Sequence, residues 1–150
     1  MKNIVVAIDF SPITPTIITQ TQTLAQAFKS KLWLIHIAEP DPDFVGFKTG
    51  PQSKREHWAE QFRSEHQQIQ DLAEQLRQKG FDAVALLLQG ATVETILTEA
   101  KKLAADLIIV GSHGRSGIEK LFVGSVSEGV LKHTHCPVLV IPSSLRSPEN

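Results

Sequence analysis

A chain of 150 residues, 41% apolar and 21% charged, has the profile of one folded domain. At that size it buries about two-thirds of its chain surface and needs no staples. Fifteen basic residues against sixteen acidic leave a net charge of -1 at pH 7, which argues against a nucleic-acid surface, since those carry a basic excess. No apolar run approaches bilayer-spanning length, and Cys136, the only cysteine, leaves no intrachain disulfide to form and suits a reducing compartment.

Met1-Lys2-Asn3 runs straight into the apolar segment Ile4 to Ile8, leaving no room for a signal peptide. The expected location is the cytoplasm. Further apolar runs follow at Leu32 to Ile37, Val84 to Leu88, Leu107 to Val110 and Val138 to Ile141. Short runs that are apolar throughout read as strands buried on both faces, and such strands belong to parallel sheets covered by helices. Between the first two runs, Ile17, Ile18, Thr21, Leu24, Ala25 and Phe28 share one helical face. Ser11-Pro12 and Thr14-Pro15 each offer an N-cap followed by proline. After the second run, Glu39 to Gln52 holds three prolines and two glycines and reads as a ligand-side loop. A long helix is expected from about Ser53 to Lys79, opened by a Ser53/Glu56 capping box and stopped by Gly80. Its stripe is Trp58, Phe62, Ile69, Leu72 and Leu76, and it weakens at Glu65 and His66, where one face is expected to leave the sheet. A shorter helix carries Val93, Ile96, Leu97, Ala100 and Leu103 on one face. Strand and helix alternate down the whole chain, which implies a single open α/β sheet. Residues 143–150 form a polar tail expected to fray.

The most informative segment follows the fourth apolar run. Gly111-Ser112-His113-Gly114 begins where Leu107-Ile108-Ile109-Val110 stops, and Gly124-Ser125 begins the next amphipathic pattern. A strand that opens through glycines into a helix brings backbone amides close to a ligand, and phosphate is the usual guest of such a helix N-terminus. The same residues also suit a plain chain reversal. Ser125 and Glu128 have capping-box spacing, so Ser125 either contacts a ligand or caps its own helix, or does both.

The spacing G-x2-G-x9-G-S, running from Gly111 through Gly114 to Gly124-Ser125, resembles the nucleotide-binding signature of the universal stress protein family. The resemblance extends to Ile4-Val5-Val6-Ala7-Ile8-Asp9-Phe10-Ser11 as first strand, Leu34-Ile35-His36-Ile37 as second, and Cys136-Pro137-Val138-Leu139-Val140-Ile141-Pro142 as last. It implies one domain over residues 1–142. The implied fold is a Rossmann-like, adenine nucleotide alpha hydrolase-like sheet of five parallel strands in the order 3-2-1-4-5, with helices on both faces. It implies ATP as ligand, with Mg2+ or Mn2+ carried on the phosphates rather than held by the protein. By the same resemblance Gly111, Gly114, Gly124, Ser125 and the amides that follow, Val126 first, lie at the phosphates, Asp9 beside the ribose, and Ile37 against adenine. Ser112 and Arg115 lie within the same loop, where Arg115 suits a phosphate through its planar fork, and Ala7 and Phe10 flank the crevice.

Each of these residues has a plainer reading. Asp9 also suits the positive end of the first helix, Ile37 also suits ordinary core, and Arg115 also suits a solvated loop. Thr92 stands where the family often has proline, and it suits an N-cap. His113 has no second group at catalytic spacing, and His133, His135 and Cys136 match no zinc pattern. Walker, dinucleotide and nucleophile-elbow motifs are all missing from the sequence. The functional expectation is a nucleotide-dependent stress-response or signalling module. The alternatives are a member whose pocket is vestigial or holds another adenine nucleotide and which works through protein contacts, or a slow ATPase. The resemblance also implies a homodimer built on Val138, Leu139, Val140 and Ile141, since an open apolar edge invites pairing.

Overall fold

The computed structural model describes residues 1–38, 52–112 and 124–145, with side chains from residue 55 onward in the middle stretch. In chain order the elements are β1 (Asn3–Ala7), α1 (Thr14–Phe28), β2 (Lys31–Ala38), α2 (Gln52–Gln78), β3 (Asp82–Gln89), α3 (Thr92–Lys102), β4 (Leu107–Gly111), α4 (Ser125–His133) and β5 (Val138–Ile141). The strands form one sheet in the order β3-β2-β1-β4-β5, and every neighbouring pair is parallel. This is the anticipated architecture.

Alternation along each strand sorts the core into two layers. Ile4 and Val6 of β1, with Leu32 and Leu34 of β2, pack with Ile13 and Ile17 on one side and with Ile69, Ala73 and Leu76 of α2. Val5, Ile35, Ile108 and Val110 face the other way, against Ile96 and Ala100 of α3 and Val130 of α4. Helices α1 and α2 therefore cover one face of the sheet, and α3 and α4 cover the other.

Several local expectations are corrected. Neither Ser11 nor Thr14 caps α1. The N-cap is Ile13, it makes no side-chain cap bond, and proline follows inside the first turn. The reason is a turn before the helix, closed by the Thr14 amide on the Ser11 carbonyl at 3.0 Å, which moves the start past Ser11 and makes Thr14 the first helical residue. Phe28 leaves the core and is 50% exposed, because α1 ends there and rolls through left-handed Lys29, φ 53°, toward β2. Helix α2 opens at Gln52, ahead of the anticipated Ser53, whose side chain lies outside the described residues. Thr92 begins α3 rather than capping it, the N-cap being Ala91. Most consequentially, α2 does not turn away at Glu65. That residue is buried, 8% exposed.

Candidate functional site

The strand order places a topological switch beside β1. The chain moves outward from β1 to β2 and β3, then crosses back to β4 on β1's other side. Open α/β sheets bind ligands in the crevice outside the carboxyl ends of the two strands at such a point. Val6 is in register with Ile109, so Asp9 and Ser112, each three residues further on, leave the sheet side by side.

On the β1 side the chain makes a tight turn. Asp9 lies two residues beyond the strand and is half-buried. Its Oδ1 accepts the Ser11 amide at 2.9 Å. Phe10 takes a left-handed conformation, φ 58°. Its ring lies 4.6 Å from the imidazole of His36 and packs with the α1/α2 layer. This corrects the expectation that Phe10 and Ala7 flank one crevice together. Ala7 belongs with the α3/α4 layer, as do Ile37 and Val126, and the left-handed turn sends Phe10 to the opposite face. Ala7, Ile37 and Val126 are all half-buried. All three pack on the α3/α4 layer, the face that carries Ile37, the residue read as the adenine contact.

On the β4 side, two bonds fasten helix α4 to the strand end. The Gly124 amide donates to the Ser112 carbonyl, and Ser127 Oγ donates to the Gly111 carbonyl at 2.8 Å. Gly129 lets the helix come close to α3, because a Cβ there would fall 2.7 Å from Val93 Cγ2. Ser112 is held from a third direction. Its amide reaches the Ile141 carbonyl at 2.9 Å, and its Oγ accepts the Ser143 amide at 2.9 Å. Ser143, assigned from sequence to a frayed tail, is thus tied to the site.

The capping reading of Ser125 is not borne out. Gly124 is the N-cap of α4, without a side-chain cap bond. Ser125 is the first helical residue and is exposed, and the first intrahelical bond is from the Glu128 amide to the Gly124 carbonyl, 2.9 Å. The amides of Ser125, Val126 and Ser127 therefore precede the helical ladder and point out of its positive end. Glu128 serves elsewhere. Its carboxylate takes the Lys132 ammonium at 2.8 Å, and that hydrogen bond holds Glu128 below the usual carboxylate range while raising Lys132.

His113, Gly114 and Arg115 lie outside the described residues. Gly111, Ser112, Gly124, Ser125 and Val126 are brought together with Asp9, Ala7 and Ile37 around one end of the sheet. His133, His135 and Cys136 form no metal-binding group, and among the described residues no three His, Cys, Asp or Glu side chains do so. Sequence reasoning missed Ser127 and Ser143, because a buried serine in a helix and a serine after a strand carry no spacing signal. It also missed the pairing of His36 with Glu65. There the signal was present, as two polar residues interrupting apolar stripes.

The universal stress protein family model matches residues 1–142. The chain belongs to that family. It is 30% identical over 141 residues to universal stress protein MJ0531 of Methanocaldococcus jannaschii, covering 93% of this chain and 81% of that protein. Among solved structures, hypothetical protein MJ0577 superposes with a TM-score of 0.78 at 23% identity, covering 97% of this chain and 98% of the other. A universal stress protein in complex with cAMP gives a TM-score of 0.67 at 21% identity, covering 95% and 98%. The universal stress protein of Archaeoglobus fulgidus in complex with dAMP gives 0.67 at 19% identity, covering 94% and 98%. These likenesses agree on the fold. Among the described residues no helix of this universal stress protein is long and apolar enough to cross a membrane.

Proposed function

We propose that this universal stress protein binds ATP at the carboxyl end of β1 and β4, with Mg2+ or Mn2+ carried on the phosphates, and that nucleotide occupancy changes its shape or its partners. The observation that carries the reading is the start of α4, which is fastened to the end of β4 by Gly124 and Ser127. Among the described residues the amides of Ser125, Val126 and Ser127 precede the helical ladder there, with the exposed Ser125 hydroxyl beside them and Ala7, Ile37 and Val126 on the α3/α4 layer. That pairing suits a ligand with an anionic end and a flat apolar end. The neighbours in complex with cAMP and dAMP support an adenine nucleotide. Asp9, with one carboxylate oxygen on the Ser11 amide, is assigned to the ribose hydroxyls. Gly114 and Arg115 complete the phosphate contacts in this reading.

Calorimetry with ATP and Mg2+ tests it, together with mass spectrometry of ligand released from freshly purified protein. Gly114→Val adds a Cβ where backbone must approach phosphate, and is expected to weaken binding by about 100-fold, or about 2.7 kcal/mol, without loss of fold. Unchanged affinity in folded Gly114→Val protein would overturn the assignment.

The second part of the proposal is a homodimer through β5. Val138, Leu139 and Val140 are half-buried on a strand at the edge of the sheet, and an apolar edge is stabilised by pairing with its copy across a two-fold axis. Light scattering at tens of micromolar is expected to give a dimer. Leu139→Pro removes a backbone donor and is expected to shift it toward monomer. A monomeric wild type rejects the interface.

A further inference from the structure

We infer that His36 is a positioning residue for the turn that carries Asp9, and that the chain Glu65–His36–Ile8 fastens helix α2 to the floor of the crevice. The inference rests on the nucleotide reading for its functional consequence, but its structural content stands apart from any ligand.

His36 is 4% exposed and follows Leu32 and Leu34 on the α1/α2 side of β2, a row where an apolar side chain would ordinarily sit. A buried imidazole is tolerated when its nitrogens are partnered. Nδ1 lies 2.7 Å from the Ile8 carbonyl. A carbonyl only accepts, so Nδ1 carries the hydrogen and donates. Nε2 faces Glu65 Oε2 at 3.0 Å, and Glu65 Oε1 accepts from Gln61 Nε2 at 3.4 Å. Glu65 thereby sets a carboxylate from α2 at ion-pair distance from the ring, a contact that attracts when a proton lies between the two atoms.

The position of the Ile8 bond matters. Registered pairing of β1 with β2 ends at Ala7 and Ile35. The Ile8 amide still donates to the Ile35 carbonyl at 2.8 Å, but the Ile8 carbonyl is taken by an imidazole instead of a strand amide. A side-chain donor at that point satisfies the last buried carbonyl while releasing the chain from the sheet. Asp9 then turns out over the crevice, Phe10 adopts φ 58°, and its ring tilts 48° against the same imidazole. A left-handed phenylalanine is strained and persists only where surroundings over-determine it. Here His36 supplies two of the contacts that do so, and the Asp9–Ser11 bond supplies another. His36 lies on the opposite face from Ala7 and Ile37 and acts through the turn rather than on the ligand. A leucine would fill the same space. What only histidine supplies is a donor aimed at Ile8.

Three substitutions separate these roles. In His36→Asn the amide nitrogen stands near the place of Nδ1 and keeps the Ile8 bond. His36→Leu keeps only bulk. His36→Gln reaches toward Glu65 instead, and replaces His36→Leu if that variant does not fold. In nucleotide-free protein the backbone amide NMR signals of Asp9, Phe10 and Ser11 are expected to stay near wild-type positions in His36→Asn and to move in His36→Leu and His36→Gln. With ATP and Mg2+, His36→Leu is expected to weaken binding about tenfold and His36→Asn less than about threefold. In an Asp9→Ala background, His36→Leu is expected to change affinity by less than about twofold, because its effect runs through Asp9. Turn signals that move equally in His36→Asn and His36→Leu, or a full tenfold loss with Asp9 already removed, overturn the inference. A wild type that binds no adenine nucleotide overturns the proposed function instead, and the NMR comparison then decides the role of His36 by itself.

Discussion

The two ends of the sheet use the same kinds of polar group for opposite purposes. At the amino end the chain satisfies its own groups. Asp106, just ahead of β4, accepts the amides of Lys2 and Asn3 through one oxygen at 2.7 and 2.9 Å. Ser30 Oγ donates to the Met1 carbonyl at 2.9 Å, Trp33 Nε1 donates to Asn3 Oδ1 at 3.1 Å, and Lys31 Nζ lies 4.6 Å over the Trp33 ring. At the carboxyl end, carbonyls are used to anchor α4 and the Asp9 turn, while the amides of Ser125, Val126 and Ser127 stand ahead of the helical ladder. Every protein must satisfy buried polar groups. An end that closes on itself serves stability. An end that leaves the first amides of a helix ahead of its ladder suits an anionic guest.

The largest effect that would sharpen this contrast is expected at Ser127, which is 1% exposed and serves both anchoring and the site. Ser127→Val removes the donor to the Gly111 carbonyl and leaves that acceptor unsatisfied. A loss of about 2 kcal/mol in urea unfolding is expected, together with weaker ATP binding because the start of α4 is no longer held. A variant with wild-type stability and wild-type affinity would show that the anchor does not matter.

Asp9→Ala is expected to separate function from stability. ATP affinity should fall about tenfold, while stability falls by no more than about 1 kcal/mol, the worth of the single Asp9–Ser11 bond. Calorimetry and urea unfolding on the same preparation check both halves. A large stability loss without an affinity loss would turn Asp9 into a structural turn residue and break the comparison.

The amino end should give the reverse pattern, and the smaller effect. The amides of Asn3 and Lys2 hold the Asp106 carboxyl below the usual range. A carboxylate whose folded pKa is depressed contributes stability that is full above its unfolded value of about 4 and is lost as pH falls through the lower folded value. Thermal unfolding of the wild type is therefore expected to lose this contribution on acidification below about pH 4. In Asp106→Asn that part of the acid slope should flatten, with a slightly lower melting temperature at neutral pH. ATP affinity should not change. Altered affinity would mean that the two ends are coupled.

The strands were legible from sequence because a parallel strand buried on both faces must be apolar at nearly every position, as in Leu107-Ile108-Ile109-Val110. Runs of that kind have no competing explanation of similar length. The start of α4 was legible because Gly124-Ser125 opens an amphipathic pattern, and the helix begins there. Caps were misread because Ser11, Thr14, Thr92 and Ser125 all have capping chemistry, and which of them meets a free amide depends on where the turn before each helix closes. Phe28 was misplaced for a similar reason, since periodicity does not say which turn of a helix still overlies the sheet.

By itself, then, the sequence determined the alternation of elements, the two-sided burial of the sheet and the glycine-lined exit from β4, because each depends on residue type at short range. The strand order entered through family resemblance, and the tertiary structure established it. Only the tertiary structure decided that Phe10 and Ala7 part to opposite faces, that Glu65 turns inward to His36, and that Ser127 and Ser143 brace the Gly111–Ser112 corner. Those facts depend on which distant backbone carbonyl or amide is left without a partner once the sheet has formed, and no local pattern of residues encodes that.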